Sequence, residues 1–267
     1  MTEFTGTATG THVSGFETSS TDGHLPLTGE RTVPGIAEEN YWFRRHEIVY
    51  LDMLARCTGK VVVDAGFGEG YGAALLASTA SAVIGLDYDQ QAAEHASRRY
   101  PEITTVRSNL AALPLADASV DVVVNFQVIE HLWDQLQFIK ECHRVLRPGG
   151  QLLISTPNRI TFSPGRDTPL NPFHTRELNA AELTELLTDG ALRVDVMTGV
   201  HHGHRLKELD ARYGGSLIDE QLKHALAGDP WPPELSADVA GVTAHDFIID
   251  EAGIDASLDL VAIAVKA

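Results

Sequence analysis

The stretch VVVDAGFGEGYGAALLA, residues 61–77, ends an apolar run in an aspartate and then sets glycine at every second position, Gly66, Gly68, Gly70 and Gly72. Glycine at that density weakens the helix that follows. Bare backbone there implies a ligand that main chain must approach closely. Asp64, closing the run, offers a carboxylate to a cationic group. A second acid, Asp87, ends VIGLD, where a carboxylate can accept both hydroxyls of a ribose. Asn109 follows a third run, and its amide can read the exocyclic amine of an adenine. Farther on, QVIEHL sets Glu130 beside His131, and NPFH brings His174. An imidazole can accept a proton from a reacting hydroxyl, and a carboxylate can orient it or bind a metal.

Two ligand classes fit a glycine loop with an acid some twenty residues on, a dinucleotide and S-adenosylmethionine. The dinucleotide pattern G-x-G-x-x-G/A fails from Gly66, because the third position falls on Tyr71. From Gly68 it passes formally on Ala73, but the register is late and Asp64 is left without a role. S-adenosylmethionine uses Asp64 for its amino group and has no pyrophosphate, so an acidic loop containing Glu69 is tolerable.

These residues need a scaffold that brings strand ends together. NYWFRRHEIVYLDMLARC carries apolar residues at helical spacing from Asn40. KVVVDAG, AVIGLDYD, ITTVRSN, VDVVVNFQ and QLLISTPN read as five strands. EGYGAALLAS, DQQAAEHASRRY and DQLQFIKECHRVL read as helices, the second capped by Asp89. That alternation predicts an α/β, doubly wound, parallel sheet with helices on both faces. NAAELTELLTDG is a helix capped by Asn179 and Glu182, ALRVDVMTGV a sixth strand, and SLDLVAIAVK a last one, expected to run antiparallel. The sheet is thus expected to be mixed and seven-stranded, with a helical insertion or lid over 200–243 before the last strand. Residues 1–24, rich in Thr, Ser and Gly, are expected to form a disordered tail, leaving one domain over 25–267.

With 267 residues and a net charge of −17, the chain is expected to avoid nucleic acid, whose phosphates it would repel. No run approaches a membrane span, the N-terminus lacks a signal-peptide pattern, and two distant cysteines, Cys57 and Cys142, suit a reducing cytoplasm and buried packing. Tyr41 and Trp42 read as packing residues. Arg44, Arg45 and His46 read as cofactor-lining residues or as a solvated face. HHGH, 201–204, reads as a hinge or polar patch ahead of a metal site.

Together, VVVDAGFGEGYG, GLDYD, LPLADASVDVVVNFQVIEHL and RVLRPGGQLLISTPN resemble the successive motifs of a class I S-adenosylmethionine-dependent methyltransferase. The wider text, including NPFHTRELNA and DPWPPEL, resembles mycobacterial sugar O-methyltransferases of methylglucose lipopolysaccharide biosynthesis. Phe67 departs from the small residue that many relatives carry in the loop. The resemblance implies a Rossmann-like methyltransferase fold in which Asp64, Gly66 and Gly68 hold the methionine end and Asp87 the ribose. Tyr88, Asn109 and Leu110 would meet the adenine, and Gln127 would lie near the sulfonium.

The expected acceptor is a hydroxyl of a sugar or saccharide precursor, and a quinone, lipid or other natural product is the rival. A hydroxyl so weakly acidic needs a base, for which His131 is favoured over His174. Arg159, Arg166, Asp167 and Asn171 are candidate contacts to the sugar by type and position. No dedicated metal ligands are assigned, although the Glu130–His131 pair permits a divalent metal such as magnesium. A homodimer is compatible with the chain.

Overall fold

The computed structural model describes Leu25 and residues 31–267, so the tail expected over 1–24 lies outside the described residues. Helix α1 (Asn40–Cys57) turns Tyr41, Val49, Tyr50, Met53 and Cys57 inward, as its spacing requires. Then come β1 (Val61–Ala65), α2 (Tyr71–Ala77), β2 (Ala82–Asp87), α3 (Gln90–Arg99) and β3 (Thr104–Arg107). Asp89 caps α3, its side chain accepting from the Gln91 N–H at 2.8 Å. From β3 the chain reaches β4 (Val120–Phe126) through a loop where strict alternation would place a helix. Pro114 sits in that loop, and Leu110 and Leu113 cover the sheet from it. The Leu113 N–H is taken up by Glu141 at 2.7 Å, so a backbone group that a helix would satisfy is satisfied by a neighbouring side chain.

Helix α4 (Gln135–Val145), β5 (Leu146–Pro157), α5 (Arg159–Phe162), α6 (Ala180–Asp189) and β6 (Arg193–His202) follow. Asn179 and Glu182 close a full capping box on α6. Helices α7 (His204–Arg212), α8 (Leu217–Ala227) and α9 (Pro233–Ala240) connect β6 to β7 (Phe247–Asp250), and β8 (Asp259–Val265) ends the fold. Leu206, Leu209, Leu217, Leu235 and Val239 from these three helices share one apolar cluster with α1. The Asn40 amide ties the start of α1 to the carbonyls of Val239, Ala240 and Val242 at 2.9–3.1 Å.

The described residues form one sheet of order β3-β2-β1-β4-β5-β8-β6-β7. Strands β1 to β5 are parallel, and β8 runs antiparallel to both β5 and β6. The sheet is therefore mixed, and it has eight strands where seven are expected. The added strand is β7, a four-residue edge strand antiparallel to β6. It is too short for alternation to show, and only its pairing with β6 makes it a strand. Side chains of the central strands alternate between two cores. Val122, Val124 and Phe126 of β4 face the α1 side, whereas Val120 and Val123 face α4 and α6. Strand order reverses between β1 and β4, so the loops beyond their carboxyl ends open a crevice suited to a ligand.

Candidate active site

The loop after β1 occupies one side of that crevice. Gly66, Gly68 and Gly70 take φ of +93°, +58° and +103°. A Cβ on Gly66 would lie 2.6 Å from the Val128 side chain, so this position excludes any other residue twice over. Gly72 serves packing: its Cβ would meet the Tyr50 ring at 2.1 Å. The Gly68 N–H donates to Asp87 at 2.9 Å, and the other Asp87 oxygen accepts from the Asp89 N–H at 2.9 Å. Asp87 thus joins the first two loops. Arg31 pairs with Asp89 beside them. Glu69 is buried and structural, accepting from Tyr100 at 2.9 Å, His95 at 2.7 Å and the Tyr71 N–H at 3.1 Å.

Asp64 is fully buried. One oxygen accepts from the Tyr50 hydroxyl at 3.3 Å, and the other has no hydrogen-bond partner among the described residues. Burial pushes its carboxyl up to about 7, with Tyr50 opposing and Asp87 adding to the rise. An orphaned buried carboxylate oxygen is costly, and an incoming ammonium would satisfy it. With the bare glycine backbone beside it, this fits the methionine end of S-adenosylmethionine.

Tyr88 is 66% exposed beyond β2, and Leu110 is buried below the loop after β3. Asn109 uses its carbonyl oxygen on the Ala111 N–H at 2.9 Å, which holds the loop in an Asx turn. Gln127 at the end of β4 adopts φ +57°, rare for a non-glycine residue and invisible in the sequence. Its amide donates to Ser155 at 3.3 Å.

On the other side of the crevice, a 3-10 turn over Ile129–His131 presents Glu130 and His131. The loop before α6 folds back on this turn: Thr175 donates its N–H to the Glu130 carbonyl at 2.7 Å and its hydroxyl to that of Leu132 at 2.7 Å. That contact brings His174 to His131, with ring centroids 4.9 Å apart. The His131 Nδ1–H donates to the Phe173 carbonyl at 3.1 Å, which leaves Nε2 as the lone-pair nitrogen. The His174 Nδ1–H donates to Glu177 at 2.7 Å, and Asn171 offers its amide to Nε2 at 3.1 Å. Glu130 accepts from Thr156 at 3.0 Å. Burial pushes the Glu130 carboxyl up to about 7 and the His131 imidazole down to about 4. Sequence reasoning missed Glu177. Its position three residues after His174 was available, but its burial was not.

Other candidates are placed elsewhere. Arg159 is held by Glu182 at 3.0 Å, at the start of α6. Arg166 and Asp167 are exposed on the loop after α5, and Asn171 belongs with His174. Arg45 is buried against Asp259 at 2.5 Å and so lines no solvated face, while Arg44 pairs with Glu47 at 2.6 Å. Burial takes the His46 imidazole down to about 4. Tyr41 is buried, with Trp42 packed on it edge-to-face at 5.1 Å. Two residues after His131, Trp133 is 94% exposed, and the Phe162 ring lies 5.3 Å from that of His174. HHGH does not converge: His202 sits between Tyr41 and Asp210 at 2.6 Å each, and His204 is exposed. Cys57 and Cys142 are buried thiols.

Among the described residues no helix is long and apolar enough to cross a membrane. The methyltransferase-domain family profile matches residues 63–154, from β1 to β5. A Mycolicibacterium smegmatis protein, described as a "probable S-adenosylmethionine-dependent methyltransferase", is 65% identical over 91% of this chain and 95% of its own length. A Mycobacterium tuberculosis protein of the same description is 62% identical over 91% of this chain and 90% of its own. Among solved structures, an S-adenosylmethionine-dependent methyltransferase from Thermotoga maritima superposes with a TM-score of 0.57 at 19% identity, covering 85% of this chain and 93% of its own. At that identity the likeness extends to the fold alone.

Proposed function

Since the chain belongs to the class I S-adenosylmethionine-dependent methyltransferases, we propose that it methylates a hydroxyl of a sugar or saccharide precursor. The observation that carries this reading is the convergence of Glu130, His131 and His174, whose ligand atoms lie within 4.8 Å of one another, with the exposed indole of Trp133 two residues further along the chain. A sugar hydroxyl has a pKa not far below the ~16 of water, so it must lose its proton during transfer. An acceptor that is already nucleophilic would need no such group. An exposed indole suits the apolar face of a sugar ring.

In this reading Asp64 and the backbone of Gly66 and Gly68 hold the methionine end of the cofactor. Asp87 keeps lone pairs for ribose hydroxyls beside the two N–H groups it already accepts. Tyr88, Asn109 and Leu110 border the adenine, and Gln127 borders the sulfonium. When bound, the cofactor supplies an electrophilic methyl group. The chain supplies alignment and a water-poor pocket, and the Glu130–His131–His174 group is where the acceptor hydroxyl is ionised. Arg166, Asp167 and Asn171, on the loop next to that group, are the proposed sugar contacts.

The test is transfer of a labelled methyl group to a panel of defined oligosaccharides, with quinones and phenolic natural products as the contrast. Label is expected in a saccharide product. His131→Ala is expected to lower turnover about 10²–10⁴-fold, with S-adenosylhomocysteine affinity within about twofold. Label found in phenols and never in saccharides would overturn the acceptor class.

A further inference from the structure

Glu130, His131 and His174 do more than share a pocket. One ligand atom from each lies within 4.8 Å of the others. Donors around a tetrahedral zinc, with bonds near 2.1 Å, sit roughly 3.3 Å apart, so the three need to close by roughly 1.5 Å at most. Both imidazoles are already set for ligation. His131 gives its Nδ1–H to the Phe173 carbonyl and His174 gives its own to the Glu177 carboxylate, which leaves an Nε2 lone pair on each. A backbone carbonyl and a carboxylate are the two commonest supports for a metal-bound histidine. Thr156 orients Glu130 in the same manner. The Asn171 amide, now on His174 Nε2, would turn aside for an ion.

Charge supplies an independent argument. Glu130 and Glu177 are 1% and 3% exposed, and among the described residues neither pairs with an arginine or lysine. The second oxygen of Glu177 is buried with no hydrogen-bond partner among the described residues. A cation beside these two buried carboxyl groups would offset the charge of whichever is ionised.

We propose that Glu130, His131 and His174 form a binding site for one borderline divalent cation of zinc's class. Two imidazoles and one carboxylate leave a coordination position open for an acceptor oxygen. They argue against magnesium, which prefers an all-oxygen shell. The ion's part in methyl transfer rests on the acceptor reading above, whereas its binding does not. A hydroxyl held on the ion loses its proton to solvent more readily. Its oxygen then forms the bond to carbon as the sulfur–methyl bond breaks, and the products are the methyl ether, S-adenosylhomocysteine and one proton.

The test titrates chelator-stripped, full-length protein with Co²⁺ and follows its visible absorption. Saturation at one ion per chain, reversed by Zn²⁺, is expected. Glu130→Gln, His131→Ala and His174→Asn should each weaken Co²⁺ binding at least about tenfold, and Glu177→Gln about 10–100-fold. Unchanged calorimetric binding of S-adenosylhomocysteine in each variant would show that the fold is intact. No absorption band up to millimolar Co²⁺, or a band indifferent to His131→Ala, would overturn the site. If Co²⁺ binds as expected but no saccharide is methylated, the acceptor reading falls and the cation site stands. Saccharide methylation indifferent to chelation would remove the ion from the chemistry.

Discussion

Asp64 is under two opposed demands at the residue scale. Its buried carboxyl, raised to about 7, is harder to ionise than in the unfolded chain, yet a cationic ligand group needs it ionised. The folded protein therefore binds this proton more tightly than the unfolded one does. The resulting stability is present at low pH and is lost as pH rises from about 4 through about 7. Asp64→Asn is expected to raise the melting temperature of the ligand-free protein relative to wild type by a margin that grows from about pH 4 to about pH 7 and levels off above it. Calorimetry should show S-adenosylhomocysteine affinity falling below about pH 7, by at most about tenfold per pH unit. The same substitution should weaken that affinity and flatten its pH dependence. A pH-independent wild type would separate Asp64 from the ligand. Gly66 makes a different case. Gly66→Ala meets Val128 at 2.6 Å on a backbone at φ +93°. A loss of about 2–4 kcal/mol in urea unfolding is expected, of which Val128→Ala should recover only the steric part.

At the scale of elements, α1 decides where Tyr50 stands, and Tyr50 is the one hydrogen-bond donor to Asp64 among the described residues. Arg45 anchors α1 on β8 through two bonds to Asp259, at 2.5 and 2.6 Å, and one to the Leu258 carbonyl at 2.9 Å. Both partners are buried. Arg45→Met strands a buried charge and is expected to cost about 3–5 kcal/mol, whereas Arg45→Met with Asp259→Leu should recover most of that loss. Equal stabilities for the single and double variants would mean the pair does not hold the helix. The pairing is unreadable from RRH at residues 44–46, because a solvated basic face and a buried ion pair look alike without the distant partner 214 residues on.

For the molecule as a whole, the net charge of −17 implies self-repulsion that salt should relieve. Raising ionic strength from about 0.01 to about 0.15 M shortens the Debye length from about 30 to about 8 Å. The melting temperature is expected to rise over that range, since the anchoring pair Arg45–Asp259 is buried and poorly screened. A falling melting temperature would show that surface ion pairs outweigh the repulsion. The two cores, one on each face of the sheet, follow from period-two alternation in β1, β4 and β8. The three helices between β6 and β7 belong to the α1-side core, where the Asn40 amide joins α9 to α1.

The sequence alone marked out the β1 and β2 side of the crevice, the proposed cofactor half, because its pattern is local. Asp64, the glycines and Asp87 lie at strand ends that hydrophobic runs mark out, and a parallel sheet collects strand ends at one edge. It also determined the mixed, doubly wound architecture, through the period of its apolar residues. The tertiary structure alone decided the proposed acceptor half. Phe173 is 42 residues from His131, and no periodicity reports that Thr175 will fold onto the Glu130 carbonyl. The same holds for the edge strand β7, for the helix-free step from β3 to β4, and for the left-handed backbone of Gln127. Each depends on which distant groups satisfy one another's hydrogen bonds, charge and volume, and that is settled only when the chain closes on itself.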